Sequence, residues 1–234
     1  MKKIMFSHKW GLHQAVLSGE KTTTLRVIPE ETIEACKDPS NPFDYPNQEK
    51  LIQAAPYKVG DVVAIAEPYK DIFSPLDWVN REIYRNQPGW ENKMYILPSL
   101  MNHFILITEV SAREAQALTQ EELREDGLEA FRRKLLEHPR LATQARNGHI
   151  AQEFFYQTMK IDILKASPLV YRYRFELLRR GTCRVCGCTE GLACTNPTHG
   201  NCWWVDETET LCSHCAIPEI ADDMFTFHPN HARP

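Results

Sequence analysis

Cysteines toward the carboxyl end of the chain form the densest group of metal-ligand residues in the sequence. Seven of the eight cysteines lie between Cys183 and Cys215, in a chain of 234 residues. Two C-x-x-C pairs bracket the group: Cys183 with Cys186, and Cys212 with Cys215. Two thiolates at this spacing reach one metal ion from a tight turn, and two such turns complete a tetrahedral four-sulfur site, which suits zinc. The sequence therefore predicts zinc bound by these four cysteines.

The other cysteines of the group leave the number and kind of metal sites open. Cys188, Cys194 and Cys202, together with His199 and His214, could complete a second site. An iron–sulfur cluster is the weaker alternative, because the spacing matches neither common ferredoxin pattern. Disulfides are weaker still, since the cytosol keeps thiols reduced and an odd count leaves one cysteine over.

The cysteine segment, residues 179–216, is predicted to be a small structural module followed by a tail, 217–234. A segment of about 35 residues cannot bury enough surface to fold alone, so the metal would supply the folding energy. Four thiolates leave no open coordination position for catalysis. Trp203 and Trp204 are expected to cover the metal site. From Cys183 onward seven acidic residues face two basic ones, which disfavours tight phosphate binding by this segment.

The elements that would position a second kind of site lie in residues 1–178, which have the pattern of an α+β domain. The composition, 43% apolar and 25% charged, is that of an ordinary globular protein. The predicted strands are Lys3–Phe6, Thr22–Ile28, Val62–Ala66, Phe104–Val110 and Leu169–Leu178. The predicted helices are Trp10–Ser18, Phe73–Gln87, a capped helix from Thr119 to Asp126, Leu128–Glu137 and Leu141–Lys160. A small mixed β-barrel with flanking helices is the expected closure, because a barrel leaves no open sheet edge.

Residues 29–57 interrupt this pattern. They hold five prolines and no long hydrophobic period, so they are predicted to form a long insertion with two short helical pieces.

Three separated stretches resemble one known family when they are taken together in chain order. They are 18–26, reading SGEKTTTLR, 57–68, reading YKVGDVVAIAEP, and 107–110 with 118–127. Residues 171–178 resemble the closing strand of the same family. Together the stretches resemble the ASCH domain, a relative of the PUA domain, in the larger form common in phages and bacteria. The resemblance implies a β-barrel with a cleft beside the first helix, and binding of RNA, a nucleotide or a modified nucleobase.

The resemblance implies a ligand site around residues 18–26. Lys21 is expected to present its charge in an exposed cleft, where it could neutralise a phosphate; if desolvated, it could instead act as a base toward Thr24. Thr24 and Arg26 share one face of the following strand, and Arg26 could hold a phosphate bidentately. Glu67, at the end of an apolar strand, could face the cleft or pair with Arg26. Trp10, at the mouth of the first helix, could stack a base or belong to the core.

Some small ASCH proteins are amidohydrolases that act on acetylcytidine, and their lysine and threonine match Lys21 and Thr24. Their acidic partner falls at Asp126 or, with a one-residue slip, at Glu125. The family enzyme has glutamate there, so Asp126 and the 29–57 insertion depart from its pattern and favour binding over catalysis. A third alternative is a protein-interaction factor whose contact surface is the acidic metal module.

The sequence has no segment typical of secretion or of a membrane span. His8, Lys9 and His13 interrupt the place where the apolar core of a signal peptide would lie. No window approaches about 18 consecutive apolar residues. We therefore expect a cytoplasmic protein. The net charge of −4 and the near-neutral larger part mean that a nucleic acid would meet a local patch only.

Overall fold

The computed structural model describes residues 1–37, 40, 45–138, 150–163, 165 and 167–217. Its strands are β1 (Lys3–Ile4), β2 (Thr23–Val27), β3 (Val62–Ile65), β4 (His103–Glu114), β5 (Leu169–Arg179), β6 (Thr195–Asn196) and β7 (Gly200–Asn201). Its helices are α1 (Leu12–Leu17), α2 (Glu30–Ala35), α3 (Gln48–Ala54), α4 (Tyr69–Ile72), α5 (Trp78–Tyr84), α6 (Gln120–Glu125), α7 (Leu128–Leu136), α8 (Ile150–Met159) and α9 (Ser213–Ala216). None of these helices has the length and apolar character that a bilayer crossing requires.

Five strands form one sheet in the order β1-β3-β4-β5-β2, and β6 pairs with β7 in a separate hairpin. The predicted α+β class is confirmed. The predicted closed barrel is wrong for the described residues, because β1 and β2 remain as two unjoined edges. β1 is only two residues long. The carbonyl of Met5, which follows β1, accepts a hydrogen bond at 3.0 Å from the side chain of Arg26 in β2, where a barrel would have a strand ladder.

The predicted strands of the sheet all form, with ends shifted by a few residues. β4 runs four residues beyond the predicted Val110, to Glu114. The helix predicted over Phe73–Gln87 forms as α5 in the middle of that range. It begins later than predicted, because Pro75 cannot donate a backbone hydrogen bond inside a helix and Asp77 caps the start. The Asp77 carboxylate accepts from the backbone N–H of Asn80 at 3.2 Å.

The predicted helix signals act where the sequence places them. Gly19 has φ 76° just after α1, the left-handed conformation that commonly ends a helix. Thr119 and Glu122 form the reciprocal capping box at the start of α6. The 29–57 insertion contains the two short helices α2 and α3. The described part of the predicted helix Leu141–Lys160 is α8, and residues 141–149 lie outside the described ranges.

The chain divides into two compact units. The first combines Met1–Lys3, Ala64–Phe104 and the chain from Leu178 onward, and the second combines Ile4–Val63 with Ile105–Leu177. The buried core of the second unit includes Leu12, Val16, Leu25, Phe131 and Phe154. That of the first includes Ile96, Met101, Phe104 and Cys212. The predicted division into 1–178, 179–216 and 217–234 stays a prediction, and the tail beyond 217 lies outside the described residues.

Candidate functional site

Lys21 is the buried centre of a charged group in the second unit. It lies two residues before β2 and is 2% exposed. Its Nζ donates to the backbone carbonyl of Asp126 at 2.5 Å and forms an ion pair with the Asp126 carboxylate. The expectation that Lys21 is exposed in a cleft is therefore wrong, because the turn between α6 and α7 covers it.

Gly127 allows that turn to approach so closely. It has φ 91°, which side-chain-bearing residues rarely adopt. A Cβ at this position would lie 3.2 Å from Cδ of Lys21 and 3.0 Å from Cδ2 of Leu12. The small residue thus brings the Asp126 carbonyl and carboxylate within reach of the lysine.

Asp126 and Arg26 occupy the unpaired edge of β2. In the antiparallel pairing with β5, the backbone groups of Leu25 point away from β5. The Leu25 N–H lies close enough to the Asp126 carboxylate to lower the pKa of that group. The Leu25 carbonyl accepts from Arg26 Nη1 at 2.7 Å. We call Lys21, Thr24, Arg26 and Asp126 the β2 edge site.

Arg26 also joins Thr24 to the site. Its Nη1 donates to Thr24 Oγ1 at 2.8 Å, and its Nη2 donates to the Met5 carbonyl at 3.0 Å. The ring of Phe6 lies beneath both cations, 5.7 Å from Lys21 Nζ and 6.0 Å from Arg26 Cζ. The threonine and arginine that the sequence placed on one strand face are therefore in direct contact.

Tyr173 adds a polar group that the sequence did not indicate as functional. It pairs directly with Thr24 across β2 and β5, so the two side chains share a sheet face. Its hydroxyl is buried and has no hydrogen-bond partner among the described residues. Burial raises the pKa of Tyr173, with the charge on Arg26 acting in the opposite direction. The alternation of tyrosine and arginine in β5 was the available signal.

The charges of the β2 edge site do not balance. Lys21 and Arg26 are both influenced by the single carboxylate of Asp126, and the hydrogen-bond acceptors of Arg26 are neutral oxygens. Burial lowers the pKa of Lys21, and Asp126 opposes this change. Burial raises the pKa of Asp126, and Lys21 and Arg26 oppose it. When all three groups are ionised, the site has one uncompensated positive charge.

Glu125, the alternative acidic residue, has different partners from Asp126. Its carboxylate accepts from Arg174 at 2.9 and 3.0 Å and also pairs with Arg172. In the β2–β5 register, Arg172 lies opposite Leu25 and Arg174 lies opposite Thr23. Their side chains are therefore on the other face of the sheet from Thr24. Asp126 is therefore the carboxylate that contacts Lys21.

The two remaining predicted ligand residues are both buried. Glu67, in the first unit, accepts from the backbone N–H of Asn102 at 3.1 Å and contacts His103 Nδ1 at 2.8 Å. Trp10, in the second unit, packs against the rings of Phe131 and His138 at centroid distances of 5.1 and 5.4 Å. This is the packing of a core tryptophan, and base stacking by Trp10 stays a prediction.

The cysteine module brings the thiols of its cysteines together. All eight cysteines of the chain are free of disulfides. Several Sγ–Sγ distances are shorter than 4 Å: 3.5 Å for Cys186–Cys194 and Cys194–Cys202, 3.6 Å for Cys188–Cys202, 3.7 Å for Cys186–Cys212 and 3.8 Å for Cys194–Cys212. A zinc ion with Zn–S bonds of about 2.3 Å in a tetrahedron separates its sulfurs by about 3.8 Å. The spacing therefore fits a tetrahedral metal–thiolate site.

Two groups of four thiols have the compactness that a metal requires. Cys183, Cys186, Cys188 and Cys212 form the first group, and Cys188, Cys194, Cys202 and Cys212 form the second. Within each group all sulfurs lie within 4.8 Å of one another. Cys215 belongs to neither group and packs against the buried Cys183, Cys188 and Cys212. The structure therefore supports a metal site, and the predicted four-cysteine set stays a prediction.

Backbone turns position these thiols. The Gly187 N–H donates to the Cys183 carbonyl and the Cys183 N–H donates to the Cys188 carbonyl, both at 2.9 Å. This tight loop aims several backbone N–H groups at the first thiol. Burial raises the pKa of Cys183, but hydrogen bonds from the N–H groups of Cys186 and Cys212 outweigh it and lower the pKa to about 6. The loop favours the thiolate that a metal binds.

Asp206 shapes the loop before Cys212, a role that the sequence analysis missed. Its carboxylate accepts from the backbone N–H groups of Thr210 and Leu211 at 2.9 and 3.0 Å, and from the Thr208 hydroxyl at 2.7 Å. Its Asp-x-Thr-x-Thr setting is typical of side-chain-stabilised turns and was the available signal.

The two tryptophans of the module differ. Trp204 packs against the buried cysteines, as the sequence analysis expected of a covering residue. Trp203 is 54% exposed. His214 is fully buried, and neither of its ring nitrogens has a hydrogen-bond partner among the described residues.

Comparisons with known proteins leave the family of the chain open. No family model matches the chain, and no curated protein matches it. The crystal structure of protein EF3133 from Enterococcus faecalis V583, family-model DUF984, is similar at a TM-score of 0.34 and 14% identity, over 76% of this chain and 81% of that chain. A likeness at this TM-score carries no argument, so the ASCH resemblance rests on the sequence stretches alone.

Proposed function

We propose that the chain binds a nucleotide, or the phosphate-linked modified base of an RNA, at the β2 edge site, and that the cysteine module is a structural zinc module. The observation that carries the proposal is the uncompensated positive charge beside Asp126. A buried charge without a counterion is costly. A phosphate group would neutralise the excess charge of Lys21 and Arg26.

Arg26 has the donors to hold a phosphate. A guanidinium has five N–H donors. Arg26 uses three of them, on Thr24, Leu25 and Met5. Two donors are therefore available to a ligand within the described surroundings. Arginine and phosphate commonly form paired, charge-assisted hydrogen bonds.

The neighbouring side chains suit a nucleobase. The buried Tyr173 hydroxyl lacks a partner and shares a sheet face with Thr24. A polar base edge could satisfy this hydroxyl, since buried polar groups are normally hydrogen-bonded. The buried Phe6 ring provides apolar surroundings for the two cations. A planar ligand with one phosphate therefore matches the chemistry of the site.

Isothermal titration with cytidine and the four ribonucleoside monophosphates tests this proposal. We expect a monophosphate to bind at least tenfold more tightly than cytidine. The variant Arg26→Gln should weaken that binding by roughly 10- to 100-fold, as expected for loss of a hydrogen bond to a charged group. Arg124→Gln is the matched control, because Arg124 is largely exposed and, among the described residues, pairs with its helix neighbour Glu121. Equal affinity for nucleoside and monophosphate, or no effect of Arg26→Gln, would refute the proposal.

Hydrolysis of an acylated nucleobase such as N4-acetylcytidine is a second candidate function. The observation that favours it is the buried Lys21–Asp126 pair. Burial lowers the pKa of Lys21 and raises the pKa of Asp126, and both changes favour the neutral form of the group. In this reaction, water cleaves the amide C–N bond to give acetate and the free amine of cytidine. Thr24 Oγ1 would attack the acetyl carbonyl and pass its proton to the neutral amine of Lys21, which would give it to the departing amine of cytidine as the C–N bond breaks. Water would then hydrolyse the acetyl ester of Thr24 to release acetate.

Chromatography of N4-acetylcytidine incubated with the protein distinguishes the two functions. Hydrolysis predicts release of cytidine, and Thr24→Val should abolish it by removing the nucleophile. Thr23→Val is the matched control, because Thr23 is an equally buried neighbour on the opposite strand face. Binding alone predicts no turnover by any variant.

Zinc is the metal that we propose for the cysteine module. The Sγ–Sγ distances of 3.5–3.8 Å support one ion contacting several thiolates at once. In a polynuclear iron–sulfur cluster each iron typically takes a single cysteine or a pair, so such mutual proximity of many thiolates is not needed. A fully thiolate-bound zinc has no open position, which supports a structural role.

A further inference from the structure

We propose that the cysteine module holds two zinc ions that share the thiolate of Cys212. The inference rests on the zinc module proposed above and specifies its ligands. It differs from a single four-cysteine site with three spare thiols, and also from two independent sites.

The number of thiols sets the first constraint. Two tetrahedral ions require eight ligand positions. The module has seven cysteines, from Cys183 to Cys215. Seven thiolates fill eight positions when one of them bridges both ions. Neither compact four-residue group among the described residues includes a histidine.

The position of Cys212 identifies the bridge. Its Sγ lies 3.7 Å from Cys186 and 3.8 Å from Cys194. Both distances match the tetrahedral edge of about 3.8 Å that zinc requires. A bridging thiolate must lie about 3.8 Å, the length of one tetrahedral edge, from the terminal thiolates of both ions. Cys212 is also fully buried, as the centre of a cluster should be.

The other six thiols divide between the two ions. Cys188, Cys194 and Cys202 complete the second compact group around Cys212. The two C-x-x-C pairs complete the other set: Cys183 and Cys186 lie with Cys212 in the first compact group, and Cys215 packs against the same buried cysteines. Cys186 also approaches Cys194, at 3.5 Å. It is not the bridge that we propose, because the second compact group does not include it. Cys188 belongs to both groups, as Cys212 does, but its close thiol contact, at 3.6 Å, is with Cys202 of the second group, whereas Cys212 approaches a thiol of each set.

Elemental analysis of the full-length reduced protein is the first test. We expect about two zinc ions per chain, from four positions per ion and one shared thiolate. A single zinc ion would overturn the shared thiolate but leave the structural zinc module standing. Absence of zinc would overturn both.

Replacement of zinc by ¹¹³Cd gives a direct test on the unmodified chain. Two ¹¹³Cd resonances that split each other are expected, because a shared thiolate couples the two nuclei. Two unsplit resonances would mean independent sites and would overturn the bridge.

Single substitutions identify the bridging residue. Cys202→Ser should retain about one zinc ion, because the set with the two C-x-x-C pairs stays intact. The zinc content of Cys212→Ser should fall well below one ion per chain, since the substitution removes a ligand from both ions. Cys36→Ser is the control, because Cys36 is buried outside the cluster, and it should retain both ions. If Cys212→Ser and Cys202→Ser lose the same amount of zinc, Cys212 is not the bridge. If Cys212→Ser does not fold, the ¹¹³Cd spectrum of the full chain decides.

Discussion

The β2 edge site and the cysteine module are built from opposite kinds of sequence information. The module gathers its ligands from residues 183–215 through tight local turns. The β2 edge site joins Lys21 to Asp126, which is 105 positions further along the chain. A cluster of thiols that could hold a metal can therefore be recognised from spacing, whereas the burial of a charge depends on what the fold places over it.

The two regions also differ in how they contribute to stability. Structural zinc binding contributes about 10–16 kcal/mol of folding free energy in small zinc domains. A buried ion pair contributes little net, but breaking it by removing one partner costs about 3–5 kcal/mol. The module should therefore depend on its ion, and the β2 edge site on keeping both partners.

Metal removal from the full chain should give the largest effect. We expect a chelator to raise amide hydrogen exchange throughout residues 183–217, because the metal supplies the folding energy there. Residues 99–102 of the same unit should follow, since Arg180 donates to the carbonyls of Ser99 and Met101 at 2.6 and 3.1 Å. Amides of α1 and β2 should keep their protection. A uniform rise across the chain would contradict this difference between the regions.

The Lys21–Asp126 pair should give the next effect. Asp126→Asn leaves Lys21 buried without a counterion, so the free energy of unfolding should fall by about 3–5 kcal/mol in denaturant titrations. Arg133→Gln is the control, because it breaks the more exposed pair with Glu20 and should cost about 0–1 kcal/mol. The double variant Lys21→Met/Asp126→Asn should recover much of the loss. If Asp126→Asn lowers the free energy of unfolding no more than the control does, the Lys21–Asp126 pair is hydrated, as expected for the exposed cleft that the sequence predicted.

Removal of the capping box should give the smallest loss of stability. The capping box is a local sequence feature, but it starts the helix that leads to the β2 edge site. The helix that it starts, α6, ends at the C-cap residue Asp126. Thr119→Ala removes the side chain that accepts from the Glu122 N–H. We expect a loss of about 1 kcal/mol in the same titrations. A loss as large as that of Asp126→Asn would mean that α6 alone positions the buried carboxylate.

The same capping box should show a defined pH dependence. Burial raises the pKa of Glu122, but hydrogen bonds from Thr119 and the charge of Arg113 outweigh it and leave the pKa below its ordinary value. A depressed carboxyl pKa contributes stability above the unfolded-state value of about 4.3, and this is lost as pH falls through the folded-state pKa. Thermal melts should therefore show wild type more stable than Glu122→Gln near neutral pH, with the difference disappearing in acid.

The sequence was sufficient where the determinants are local. The strands, Gly19, the capping box and the compact group of thiols all follow from short-range spacing. Lys21, Thr24 and Arg26 were named from a sequence stretch, and the structure places Asp126 against Lys21. The burial of Lys21 was missed, because it depends on Gly127 and a distant turn. The open sheet was missed for the same kind of reason, since strand pattern alone does not show which edges join.

The capping of Leu25 by Asp126 and Arg26 has a consequence for self-association. An unpaired strand edge is a template for pairing with another copy of the chain. These two side chains occupy the outward backbone groups of Leu25 and so block that template. Two of the residues proposed to hold a ligand, Asp126 and Arg26, thus also protect the strand edge from aggregation. Substitutions at Thr24 or Tyr173 could change the ligand preference without this cost, whereas loss of Asp126 or Arg26 would expose the strand edge.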